Sequence, residues 1–146
     1  MTNFNFEAVN VPGFFIRHFN FAGELARKDG PLDDYSFALL NRGQGHTAFR
    51  SANFPDRFLR HRDFRIFLEP PAGANDEQHR ADSTFVFLRG LTGEDETFSF
   101  RSLDFPDRFL RHRDFHLFVE APPAPDDPGF AQDATFRRTL APVRID

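Results

Sequence analysis

An all-β body built from three pseudo-symmetric repeats is the fold class this sequence predicts, and three observations predict it. First, residues 54–64 read FPDRFLRHRDF and residues 105–115 repeat them without change, while residues 11–21 (VPGFFIRHFNF) keep Pro12, Phe15, Arg17, His18 and Phe21 of the same frame. Second, the copies carry matching flanks. Phe6, Phe49 and Phe100 precede them, followed by Ala8, Ser51 and Ser102 and then by Asn10, Asn53 and Asp104; a block opening on Asp34, Asp82 and Asp133 follows them. Third, each unit holds short apolar or alternating runs broken by Pro, Gly and Asn, with no helical period of useful length. Repeats of 1–40, 41–91 and 92–146 fill the chain, which the length prior makes one domain, 1–146.

Each repeat reads as four strands. In the first, residues 4–9 alternate with period 2 and residues 10–13 (NVPG) turn the chain. Residues 14–18 form the second strand, 20–23 turn, a poorer third strand starts at Leu25, and residues 36–40 form the fourth. The second repeat is cleaner, with strands at 47–52, 58–61, 64–68 and 84–88. The third follows at 98–102, 109–112, 115–119 and 135–138. Residues 70–78 and 121–129 read as loops, the latter stiffened by Pro122, Pro123, Pro125 and Pro128. Pro12, Pro55 and Pro106 read as turn formers. Three sets of four strands close most simply into a β-trefoil of twelve strands, six in a barrel and six in capping hairpins, since closure removes sheet edges. A propeller is the competitor, but three blades are fewer than propellers use.

Phenylalanine dominates the apolar content, with 22 Phe against one Tyr and no Trp. Phe15, Phe58 and Phe109, with Phe37, Phe85 and Phe136, are the expected core. The net charge of −4 and the interleaving of Arg with Asp leave no basic stripe, so no nucleic acid is expected as partner. No apolar run approaches spanning length, so no membrane is expected either. There is no cysteine, which excludes disulfides and thiolate metal sites. A chain that starts on Met, without a charged leader or apolar stretch, is expected in the cytoplasm, or outside the cell if a leader was removed. Oligomeric state is not legible.

The chemistry-bearing recurrence is histidine with aspartate: His18 with Asp34, His61 with Asp82, His112 with Asp133, separated by 16, 21 and 21 residues. A carboxylate accepts two hydrogen bonds from neighbouring hydroxyls and an imidazole donates or accepts. A purely structural pair, Asp fixing a turn and His tying it to a strand, would be copied by duplication just as faithfully. His46, His79 and His116 fall outside the pattern and read as surface residues. Asp56-Arg57 and Asp107-Arg108 read as exposed turn charges, a kind of pair that contributes about 0–1 kcal/mol. No ligand spacing supports a metal, and no cofactor is expected.

The pattern Phe-x-Ser-x-Asn-Phe-Pro, Phe-Leu-Arg-His-Arg-x-Phe, Asp-(Ala/Ser)-Thr-Phe resembles the AbfB-type arabinofuranose-binding β-trefoil domain, carbohydrate-binding module family 42. The resemblance covers all three repeats and is most specific in the second and third. It implies one shallow arabinofuranose pocket per lobe, lined by His18 and Asp34, His61 and Asp82, and His112 and Asp133, and hence a small-molecule or saccharide ligand. Weak sites of this kind gain avidity on a branched polymer.

A second reading makes the chain a small enzyme. A carboxylate beside an imidazole is a serviceable general acid/base, and in a Phe-lined pocket it could drive dehydration, addition or cyclisation of an apolar secondary metabolite. His18, Asp34 and Tyr35 are its catalytic candidates, because the first repeat has diverged, with Phe19 where Arg62 and Arg113 stand and with an expected more apolar pocket. Glycoside hydrolysis needs two facing carboxylates, and each repeat has one recurrent Asp.

Overall fold

The structure, a computed structural model described here for residues 2–142, is built on a closed ring of six strands. These are β1 (Phe4–Ala8), β4 (Phe37–Asn41), β5 (His46–Ser51), β8 (Phe85–Arg89), β9 (Thr97–Ser102) and β12 (Phe136–Leu140). The ring closes antiparallel in the order β1–β4–β5–β8–β9–β12 and back to β1. Three hairpins cap one end: β2 (Phe14–Phe19) with β3 (Ala22–Arg27), β6 (Phe58–Arg62) with β7 (Arg65–Glu69), and β10 (Phe109–Arg113) with β11 (His116–Glu120). Their inner strands meet pairwise as β3–β7, β7–β11 and β11–β3. Twelve strands in this arrangement are a β-trefoil. Among the described residues no helix is long and apolar enough to cross a membrane.

The core follows the threefold frame. Phe6, Phe49 and Phe100 are fully buried and meet one another, with ring centroids 5.2, 5.9 and 4.7 Å apart, all edge-on. Edge-to-face contact is the geometry aromatic quadrupoles prefer. Phe37, Phe85 and Phe136 are equally buried around them. Phe15, Phe58 and Phe109 are not core. Strand alternation turns Ile16, Leu59 and Leu110 inward instead and leaves the three Phe half-buried. They are covered from outside by Lys28 (4.3 Å over the Phe15 ring), His79 (5.9 Å from Phe58) and Phe130 (6.2 Å from Phe109).

At the hairpin apex the first repeat has Gly23 where the others carry Ile66 and Leu117. A Cβ on Gly23 would lie 2.7 Å from Ile66 Cγ2 and 3.1 Å from Leu117 Cδ1. Gly23→Ala is therefore expected to destabilise by about 1–3 kcal/mol through overpacking. An unchanged urea midpoint would show that the apex yields freely.

Two elements differ from the sequence reading. Short helices α1 (Glu77–Asp82) and α2 (Pro128–Asp133) stand where no helix was expected, each starting at the end of an expected loop, 70–78 or 121–129. Each starts on an aspartate cap, Asp76 accepting from His79 N (3.0 Å) and Asp127 from Phe130 N (2.8 Å). Six residues are too few for a 3.6-residue period to show, but the caps were there to read. The first repeat, five residues shorter, has only a 3₁₀ turn, Leu32–Tyr35. Second, Phe64 and Phe115 do not open strands. With Asp63 and Asp114, and like Asn20-Phe21, they form two-residue hairpin turns with both φ positive, 53° to 64° in the later two. Such turns match the right-handed strand twist, though a bulky residue there is strained.

Candidate ligand-binding site

His18, His61 and His112 sit at the same place on β2, β6 and β10, one residue after Arg17, Arg60 and Arg111. The pattern Phe-apolar-Arg-His turns His and the apolar residue to the inside, so all three imidazoles are buried. Each faces its expected aspartate, at Nε2–Oδ1 distances of 3.6 Å (Asp34), 3.5 Å (Asp82) and 3.7 Å (Asp133). Its nearer partner, however, comes from the first turn of the next repeat: Asn53 Oδ1 at 2.9 Å, Asp104 Oδ1 at 2.8 Å and Asn10 Oδ1 at 2.8 Å. The sites are therefore seams between consecutive repeats, not pockets inside them. Asn10, Asn53 and Asp104 recur visibly in sequence, but only the fold shows what they face.

The arginine before each histidine is the other residue that the sequence reading left without a role. Arg17 Nη2 donates to Asp34 Oδ2 at 2.8 Å; Arg60 Nη2 and Arg111 Nη2 hold Asp82 and Asp133 in the same way. Charge-assisted bonds of this type fix a carboxylate firmly and leave one oxygen to work with. In the first lobe that oxygen accepts from Asn53 Nδ2 (2.9 Å). The amide is thereby oriented with Oδ1 toward His18, and His18 Nε2 carries the proton. The third lobe repeats this, Asn10 Nδ2 donating to Asp133 Oδ1 at 2.8 Å. There burial holds His112 below the usual histidine range, Asp133 pulling it up and Arg111 down. In the second lobe burial and the facing Asp104 raise the Asp82 carboxyl, against Gln78, His61 and Arg60. Burial also pushes Asp104 up, but bonds to His61, Asp82 and Ser102 outweigh it and hold it below the usual range.

Aromatic rings wall two of the seams. Phe54 stands edge-on to His18 at 5.5 Å and to Phe21 at 5.2 Å, and Arg57 lies 4.1 Å over the Phe21 ring. In the second seam Phe105 stands edge-on to His61 at 5.4 Å and to Phe64 at 5.1 Å, and Arg108 lies 3.7 Å over the Phe64 ring. Arg57 and Arg108 are thus not free turn charges, since each also donates to a carbonyl, of Leu68 and Val119. The third seam differs: Val11 and Phe14 take the places of the Phe and Arg, with Phe14 tilted against Phe115 at 5.3 Å. The aspartates are unequally open, their side chains 16 %, 6 % and 26 % exposed in lobes one to three.

Several expected residues lie elsewhere in function. Tyr35 is fully buried, donates its hydroxyl proton to the Arg27 carbonyl and accepts from Arg17 Nη1 at 3.2 Å, so it supports Arg17 from below. Phe19 is exposed, as are Arg62 and Arg113, whose side chains pair with Glu69 and Glu120 on the outer hairpin face. The Phe19 exchange therefore leaves the first seam no more apolar. His79 is buried, with Nε2 2.8 Å from the Glu69 carbonyl, because α1 lays it against Phe58. His46 is partly buried, and His116 pairs with Glu24 at 2.6 Å. Two cavities, about 460 Å³ beside Phe109 and Phe130 and about 400 Å³ beside Phe58 and His79, flank the helices; neither is lined by one of the three recurrent His–Asp pairs. The recurrent polar set lies outside both cavities.

The molecule is thus a β-trefoil domain carrying a threefold set of polar seams. The chain matches the Alpha-L-arabinofuranosidase B (ABFB) domain family over residues 1–87 and again over 72–141, and belongs to that family. It is 34% identical over 76 residues to Alpha-L-arabinofuranosidase B of Emericella nidulans (strain FGSC A4) and 39% identical over 90 residues to a probable alpha-L-arabinofuranosidase B of Aspergillus clavatus. These stretches cover 49% and 58% of the chain but only 15% and 17% of those proteins. Among solved structures, an arabinofuranosidase complexed with arabinofuranosyl-alpha-1,2-xylobiose superposes with a TM-score of 0.79 over 96% of this chain and 31% of that one, at 21% identity. SeviL bound to asialo-GM1 saccharide superposes at 0.70 over 97% and 98%, at 6% identity, which speaks for the fold alone.

Proposed function

We propose that the domain binds arabinofuranosyl side chains of a branched saccharide, one in each open seam, and does no chemistry on them. The observation that carries this reading is the His–Asp–Arg set repeated three times and completed each time from the next repeat. In each seam both aspartate oxygens already accept one protein hydrogen bond, so what the seam offers a hydroxyl is the second lone pair on a firmly held carboxylate, and the first two seams add a Phe wall for the apolar face of a sugar ring. Membership in the ABFB family, and likeness to an arabinofuranosidase complexed with an arabinofuranosyl xylobiose, support the sugar class. The acid/base reading is less well supported. His18 Nε2 and Asp34 are engaged by Asn53 and Arg17, and the Tyr35 proton is given to a backbone carbonyl.

Calorimetric titration with an arabinofuranosyl-substituted xylo-oligosaccharide, in the presence of a chelator, tests the reading. Asp133→Asn keeps shape but weakens a charge-assisted acceptor, and is expected to reduce affinity at the most exposed seam by roughly 10–100-fold, the equivalent of about 1.5–3 kcal/mol. Asp34→Asn should act separately on the first seam. A folded parent protein giving no heat at millimolar sugar would sink the proposal.

A further inference from the structure

The second seam departs from the other two in one functional group. Asn53 and Asn10 present an amide oxygen to the histidine and an amide N–H to the aspartate. In the second seam the residue is Asp104, which has no hydrogen to give Asp82. Asp104 Oδ1 lies 2.8 Å from His61 Nε2, and Asp82 Oδ1 lies 3.5 Å from the same nitrogen. The three side chains bring one ligand atom each within 4.8 Å of one another, with His61 and Asp82 buried. Arg60 engages the other oxygen, Oδ2, of Asp82. Two carboxylates that meet this closely either share a proton or repel, and a dication in place of that proton attracts both.

We propose that His61, Asp82 and Asp104 form a site for one divalent metal ion of the zinc type. Bonds of about 2.0–2.1 Å in a tetrahedral shell place ligand atoms roughly 3.3 Å apart. The distances from His61 Nε2 to Asp104 and Asp82, 2.8 and 3.5 Å, bracket that value. A mixed imidazole–carboxylate set suits zinc, whereas calcium and magnesium take oxygen ligands. Ser102 Oγ donates to Asp104 at 2.9 Å and Gln78 Nε2 to Asp82 Oδ1 at 2.8 Å, the outer bonds that orient metal ligands. The ion displaces the Nε2 proton of His61 to solvent, and Asp104 is the most exposed of the three ligands. In sequence the site is invisible, because His61 and Asp104 are 43 residues apart and belong to different repeats.

This inference does not rest on the sugar reading. The test is calorimetric titration of the whole, chelator-stripped chain with zinc chloride, beside two variants. Asp104→Asn gives the second seam the residue found in the other two; Asn53→Asp gives the first seam the full set. The parent is expected to take up one ion, Asp104→Asn to bind at least about tenfold more weakly, and Asn53→Asp to take up two. Absence of saturable heat from the parent at millimolar zinc overturns the proposal, as does unchanged binding by Asp104→Asn. Should Asp104→Asn not fold, a stoichiometry of one in Asn53→Asp overturns it equally.

Discussion

Phe100→Ala is expected to cost about 3–5 kcal/mol of stability, the range for truncating a fully buried aromatic ring. Phe100 touches four other rings (Phe6, Phe49, Phe87 and Phe136), so the cavity opens where all three repeats converge. For a chain of this length that loss lowers Tm by roughly 10 °C. Urea unfolding of parent and variant measures it. A loss below about 1 kcal/mol would mean that the neighbouring rings collapse into the gap, and that the axis is not the rigid centre its packing implies.

The second large effect is expected at the Arg60–Asp82 pair. Asp82 is buried, and its loss would leave Arg60 with Glu69, 3.7 Å away, and the His61 carbonyl, at 3.3 Å, while Gln78 loses its acceptor. Asp82→Ala should destabilise by about 2–4 kcal/mol, because removal of one partner strands the other charge out of water. Arg60→Met combined with Asp82→Leu should recover most of that loss, since an apolar pair of similar volume has no charge to desolvate. Equal instability of the single and double variants would show instead that Asp82 acts mainly by ending α1. The same substitution strips the second seam of a carboxylate, so stability and binding must be measured on the same samples.

The three histidines and three aspartates were legible because duplication copied them into register, and the fold because the same duplication repeated the strands and turns. Phe6, Phe49 and Phe100 stood out as equivalent positions, and equivalence under a threefold axis is what brings them together. Asn10, Asn53 and Asp104 were equally conspicuous, yet their role was not legible. They lie 102, 35 and 43 residues from the histidines they meet, and no local pattern encodes a contact across a seam. The half-burial of Phe15, Phe58 and Phe109 was missed because each strand has apolar residues on both faces, Phe on one and Ile16, Leu59 or Leu110 on the other, and composition does not say which is deeper.

By itself, then, the sequence determined the number of repeats, the all-β class, the closure into a trefoil and the identity of the recurring polar pairs, all properties that copy with the chain or follow from period-2 alternation. Only the tertiary structure decided that the sites lie between repeats, that an arginine clamps Asp34, Asp82 and Asp133, that Tyr35 is sealed beneath Arg17, and that one seam faces two carboxylates at one imidazole. Those facts depend on which side chains end within about 3 Å of each other, the range of a hydrogen bond. That distance is set by the closing of the barrel, which joins residues far apart in the chain.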